Sequence, residues 1–261
     1  MQLSGVTITG RASGYTIPVT DPYFSNVSVL LHADGTNGST TFTDSSSNGY
    51  AFGANNTAAL NTSIKRYGTA SLKLNGSGDR ITHPTAEASI ALASSSIFTL
   101  EASIYLTANS PANGGGNRVA NVANSNIVSS TQTNAWWWVV GGNTTTTGTN
   151  MQYTTWDGSN TIRRMQWNFP STLNKNQWYD IAVVRDGSNW YAYLDGSLLT
   201  NATNEIGGTT QTQATGDLRI GSTLWTSYTS DFIGYIDEFR LTKGVARYTT
   251  AYTPMGPFPN S

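Results

Sequence analysis

A chain of 261 residues has room for one large domain or two small ones, and one large domain is expected. The absence of cysteine excludes disulfide frameworks, thiolate zinc sites, iron–sulfur clusters and thiol catalysis. Lys+Arg 14 against Asp+Glu 15 gives a formal charge of −1, with 11% of residues charged. About 25% is usual, so the positive field that a nucleic-acid reader needs is missing.

In place of charge the chain carries Thr, Ser, Asn and Gly together with 8 Trp, 13 Tyr and 8 Phe, a composition that suits pleated, half-buried surfaces. The N-terminal run MQLSGVTITGRASG has neither the basic stretch nor the apolar stretch of a secretion signal. Residues 1–23 read as an arm, with short β-like pieces at Val6–Ile8 and Tyr15–Pro18 ended by Asp21-Pro22, and it is either an edge strand of the main domain or a segment that docks on a partner. Residues 24–261 read as one all-β domain. Its expected strands are Val27–His32, Ser71–Leu74, Arg80–Thr82, Ile97–Leu106, Ala135–Val140, Met151–Trp156, Ile162–Trp167, Trp178–Arg185, Asn189–Leu194, Leu218–Gly221 and Phe232–Leu241.

Alternation is cleanest in Ile97–Leu106, where Phe98, Leu100, Ala102, Ile104 and Leu106 share a face and Thr99, Glu101, Ser103 and Tyr105 share the other. Asp186-Gly187 and Asp195-Gly196 supply two consecutive hairpin turns, which favours an antiparallel meander over helical crossovers. The Thr/Gly-rich stretches Asn143–Asn150 and Gly207–Gly216 are expected as exposed loops. The densest apolar patch, Trp136–Val140, is stopped by Gly141 and Gly142 and falls far short of the ~20 residues of a membrane span, so no membrane insertion is expected.

An ordered series of segments resembles the laminin G-like branch of the concanavalin A-like lectin/glucanase superfamily over about Phe24 to Pro259. The series is Ser28–Asp34 (SVLLHAD), Phe42–Gly49 (FTDSSSNG), Tyr67–Asp79 (YGTASLKLNGSGD), Phe98–Tyr105 (FTLEASIY), Trp178–Arg185 (WYDIAVVR) and Gly234–Arg240 (GYIDEFR). The closing run Thr242–Pro254 (TKGVARYTTAYTP) resembles the ending of such domains on bacteriophage virion proteins. The resemblance implies an antiparallel two-sheet jelly-roll sandwich with one concave face, ligands on that face or at the rim loops, and an N-terminal arm that attaches to other virion proteins. It further implies a structural Ca²⁺ held by Asp237 of the Ile236–Phe239 motif, with Asp34 and a backbone carbonyl near Gly68 as companions. The alternatives at those positions are an ordinary Asp34-Gly35 turn and an Asp237 paired with Arg240 or with a backbone amide.

Relatives that cleave glucans carry a Glu-x-Asp-x-Glu pattern, which places carboxyl groups about 5–5.5 Å apart on one strand face. Here Glu101 stands alone, and Asp237-Glu238 are adjacent and hence on opposite faces of a regular strand. No catalytic role is therefore expected. His32 and His83 read as a strand-end and a loop histidine, with no ligand spacing around them.

Aromatic residues are the better functional lead, since sugar C–H faces stack on indole rings while amides and hydroxyls meet the sugar hydroxyls. Alternation puts Trp136 and Trp138 on one face and Trp137 on the other. Either one of these faces is a glycan platform, flanked by Trp156, Trp167, Arg118 and Asn143, or the indoles are core. Trp178 and Trp190 read as core or its margin.

The function expected is a non-catalytic module on a phage virion surface that binds host surface glycans, in many copies or as a homo-oligomer. The alternatives are a structural decoration or fibre subunit and a glycan depolymerase.

Overall fold

The alternation of Phe98–Leu106 sets the architecture, because one side of this strand must face a second layer. The computed structural model describes residues 20–92, 96–108, 116–123, 134–141, 149–157, 159, 161–200, 202–207, 210–211, 213–222 and 231–261. The arm pieces at 6–8 and 15–18 and the expected site residue Asn143 lie outside these.

In chain order the strands are β1 (Val27–Leu31), β2 (Gly53–Asn55), β3 (Ala59–Asn61), β4 (Ser71–Asn75), β5 (Arg80–His83), β6 (Phe98–Leu106), β7 (Asn117–Ala123) and β8 (Trp136–Val140). They continue as β9 (Asn150–Trp156), β10 (Ile162–Asn168), β11 (Trp178–Asp186), β12 (Asn189–Leu194), β13 (Ser197–Leu198), β14 (Ala202–Asn204), β15 (Asp217–Ile220) and β16 (Ile233–Lys243). Two antiparallel eight-stranded sheets result. The first runs β13-β12-β11-β6-β16-β4-β3, with β1 also on β16, and the second runs β14-β10-β9-β8-β7-β15-β5-β2. Among the described residues no helix is long and apolar enough to cross a membrane.

All the expected strands form, within a residue or two at their ends. Asp195 and Gly196 both take positive φ (+48 and +74), the conformation that a two-residue hairpin between β12 and β13 needs. The expectation of a wholly exposed loop at Gly207–Gly216 is corrected: Gln211 is buried and bridges Asp157, and Ala214 is buried in the core. Five strands lack a counterpart in the sequence reading, namely β2, β3, β7, β13 and β14. Four of them have only two or three residues, and β7 (NRVANVA) mixes polar and small residues too evenly to stand out.

Between the sheets lies one large core that includes Phe98, Leu100, Ile104, Ile181, Val183, Leu218, Ile220, Phe239 and Leu241. The outer face of the first sheet is crossed by the C-terminal strap, residues 244–261. Tyr248 and Tyr252 of the strap stack on each other at 3.6 Å and pack over Tyr193 and Val184. Tyr252 donates its N–H to the Gly196 carbonyl at 3.0 Å. A Cβ on Gly196 would meet the Tyr252 carbonyl at 1.9 Å, so the turn and the strap together require glycine there. The described part of the arm also joins this face, for Asp21 is buried and its N–H donates to the Ser261 carbonyl at 2.6 Å.

Candidate functional site

Strand β8 is apolar along its whole length, so its own sequence leaves open which parity turns inward. Its neighbours decide. Trp136 and Trp138 lie opposite Val122 and Ala120 of β7, small residues that leave space for an indole between the sheets, whereas Trp137 lies opposite Asn121 and Thr154. Trp136 and Trp138 (each 0% exposed) and Trp167 (1%) are therefore core residues. Trp136 donates its indole N–H to the Ile90 carbonyl at 3.1 Å and stacks near Tyr153. Burying an indole removes ~150–250 Å² from water, a gross gain of about 4–6 kcal/mol at ~25 cal/mol/Å². The expectation of a platform built on Trp136, Trp138 and Trp167 is corrected on this ground.

The opposite parity builds a different set on the outer face of the second sheet. Trp137 and Trp156 meet edge to face at 4.7 Å within a small cluster that also holds Ala123, Ala135 and Val139. The Arg118 guanidinium lies 4.2 Å from the centre of the Trp137 ring, a cation–π contact. A bulge between Arg118 and Ala120 makes this possible. Regular alternation would set Arg118 and Asn121 on opposite faces, and the extra residue brings both outward. Across five strands the residues Arg164, Thr154, Trp137, Asn121 and Arg219 then stand directly opposite one another. Beside this row Gln152 donates to Gln166 at 2.8 Å.

Polar groups on this face are only partly answered. Arg118 is 1% exposed, and its Nε and Nη1 have no hydrogen-bond partner. Burial pulls its pKa down to about 9, against the opposing charge of Asp231. Asn121 donates to the Ser222 carbonyl at 3.0 Å while its Oδ1 is unmet. Arg219 pairs with Asp217 at 2.8 Å and leaves Nε unmet. Trp137 is 7% exposed, so the indoles form a covered floor, and the accessible margin runs along β10 through the half-buried Arg164 and Gln166 and the exposed Asn168. Arg118 and Trp156 thus fall on this face as two members of the expected set. Trp137 stands on the alternative face of the WWW run, whereas Asn121, Thr154, Gln152 and Arg219 were missed, and the polar parity of Asn150, Gln152 and Thr154 in β9 was the available signal.

The expected calcium ligands converge, but on a segment of chain. Asp237 Oδ2 accepts the N–H groups of Arg66 and Tyr67 at 2.8 and 3.1 Å. Asp34 Oδ1 accepts from the Thr69 N–H and, at 2.9 Å, from the Thr69 hydroxyl. Gly68, at φ +55, lies so near Asp34 that a Cβ would come within 2.1 Å of its carboxylate. A hard cation wants six to eight oxygens, whereas these carboxylates already face N–H groups. Among the buried carboxylate oxygens described, Asp237 Oδ1 alone lacks a partner, and burial pushes the pKa of this carboxyl up to about 7. The residues fit a clamp on the loop at 66–70 and do not fit calcium.

A bulge between Asp237 and Arg240 also corrects the expectation that Asp237 and Glu238 point to opposite faces of a regular strand. Glu238 sits in that bulge at φ +52, where it meets His32 Nδ1 at 2.9 Å and accepts the Phe258 N–H at 2.8 Å. The second ring nitrogen of His32 lies 2.6 Å from Asn260 Oδ1, so this histidine ties β1 to the strap. Glu101 accepts from Arg240 at 2.8 Å and from the Tyr248 hydroxyl at 2.7 Å, and Asp180 is bound by Arg66 and Ser103. Glu238, Glu101 and Asp180 thus each have a structural partner.

Two stacked antiparallel eight-stranded sheets make a jelly-roll sandwich. The chain belongs to the concanavalin A-like lectin/glucanases superfamily, for the Laminin_G_3 model of that superfamily matches residues 75–247. No curated protein matches the chain. Among solved structures it is similar to the botulinum neurotoxin serotype G binding domain, at 15% identity and a TM-score of 0.60 over 87% of this chain and 49% of that one. The binding domain of Paraclostridial Mosquitocidal Protein 1 aligns at 14% identity and a TM-score of 0.58, over 84% and 49%. The serotype D binding domain aligns at 12% and 0.56, over 85% and 49%. The chain spans about half the length of these domains, and the likeness is one of fold.

Proposed function

We propose that the chain is a non-catalytic carbohydrate-binding module whose sugar contacts lie on the outer face of the second sheet. The observation that carries this reading is the Arg118–Trp137–Trp156 cluster beside Asn121, Gln152 and Thr154, in which Arg118 Nε and Nη1 and Asn121 Oδ1 have no hydrogen-bond partner. Buried polar groups without a protein partner cost ~1–3 kcal/mol each, so this face keeps them at the expense of stability. Trp137 and Arg118 form the floor of the site, and Arg164, Gln166 and Asn168 its reachable margin. The superfamily membership and the binding domains among its structural neighbours support the same reading.

A glycan array probed with the wild-type protein and with Gln166→Ala and Arg118→Met variants tests this. Binding to at least one glycan that weakens in both variants is expected, and equal binding by all three proteins contradicts it. We further propose display on a phage particle through the residues before Thr20, where multivalency offsets weak single sites. The resemblance of Thr242–Pro254 to virion-protein endings supports that context. Mass spectrometry of purified particles is expected to find the chain among the virion proteins, and its absence there contradicts the proposal.

A further inference from the structure

The strap and the described end of the arm leave between them a cleft of ≈ 220 Å³, on the opposite side of the molecule from the proposed glycan face. The cavity beneath the strap (≈ 20 Å³) and the one within the core (≈ 10 Å³) hold at most a water, so this cleft alone among the three has room for a ligand. Its walls include the rings of Tyr23, Tyr248, Tyr252 and Phe258. Tyr23 is 43% exposed and Met255 70%, so the mouth is open and partly apolar.

The charges at its base are closed on themselves. Asp21 takes Arg247 Nη1 at 2.9 Å and Nη2 at 2.7 Å, and Arg240 Nη1 at 3.1 Å. Arg240 Nε donates to Glu101 at 2.8 Å, and Arg247 Nε donates to the Thr242 hydroxyl at 2.7 Å. Two guanidinium groups facing two carboxylates leave no net charge for a ligand, and an ionic ligand would have to break that network. The volume lies below the ~300 Å³ at which drug-sized sites begin, so the part of a ligand that the cleft itself encloses is about one ring. Tyr23 and Phe258 each carry a guanidinium on one face, Arg247 at 5.5 Å and Arg240 at 3.7 Å, and the aromatic walls select a ring that joins an apolar face to a polar rim.

We propose that this cleft binds a single neutral pyranose, as a second sugar site independent of the second-sheet face. Saturation-transfer NMR on the full chain tests it, with methyl α-D-glucopyranoside, methyl α-D-galactopyranoside and methyl α-D-mannopyranoside as probes. Transfer to the ring protons of at least one probe is expected in the wild type and in Arg118→Met. Built into Arg118→Met, so that the second-sheet face does not contribute, Tyr23→Ala, which removes a wall, and Thr253→Trp, which fills the space, are each expected to bring it down to background while the melting curves show the variants folded. No transfer to any of the three probes overturns the proposal. So does transfer that persists in both of these double variants, or transfer that Arg118→Met abolishes.

Discussion

The two outer faces of the sandwich solve the same problem in opposite ways. On the first sheet, Asp21, Glu101, Arg240 and Arg247 are all at least nine-tenths buried, and each meets an opposite charge within 3.1 Å. On the second sheet, Arg118 is as deeply buried, yet two of its nitrogens have no hydrogen-bond partner and it rests on an indole ring. The first arrangement fastens the strap and the arm to the core. The second retains polar groups at a cost in stability, and unmet groups of that kind concentrate where a protein does its work.

The largest effect that distinguishes the faces is expected from Arg240→Met. It leaves Asp21 and Glu101 buried with less compensation, and a loss of ~3–5 kcal/mol is expected in urea unfolding. A loss below about 1 kcal/mol would mean that the network is not what fastens the strap. Gly196→Ala comes next, at about 1–3 kcal/mol by the same measurement, because its methyl group collides with the Tyr252 carbonyl and forces the strap outward. Arg118→Met is expected to leave stability unchanged or to raise it by about 1 kcal/mol, since an incompletely paired buried cation gives way to an apolar side chain. If this variant instead costs as much as Arg240→Met, the contrast between the faces is lost. The smallest effect is that of metal removal. The melting temperature should be the same in EDTA and in millimolar calcium, because Asp34 and Asp237 serve the loop at 66–70, and an upward shift of several degrees in calcium would restore the cation.

Much of the sandwich was legible because strand alternation and hairpin chemistry are local. The faces of Phe98–Leu106 and the turns at Gly187 and Gly196 follow from neighbouring residues alone. The site was less legible because its parity is set across strands. WWWVV reads equally well in either orientation, and it is Ala120 and Val122 on β7 that draw Trp138 and Trp136 inward. The bulges at Arg118/Ala120 and Asp237/Arg240 shift alternation by one residue and carry no glycine to announce them. The strap was visible as a closing motif, but its role as a cover over the first sheet depends on Asp21 and Glu101, more than a hundred residues from Arg240 and Arg247 in sequence.

The most direct measurement is a ¹⁵N spectrum of tryptophan indole and arginine Nε–H signals, recorded as a glycan selected on the array is added. The account predicts that Trp137 and Arg118 shift together at saturation while Trp136 and Trp138, packed between the sheets, hold still. Movement of Trp138 with Trp137 and Arg118 unchanged would contradict it.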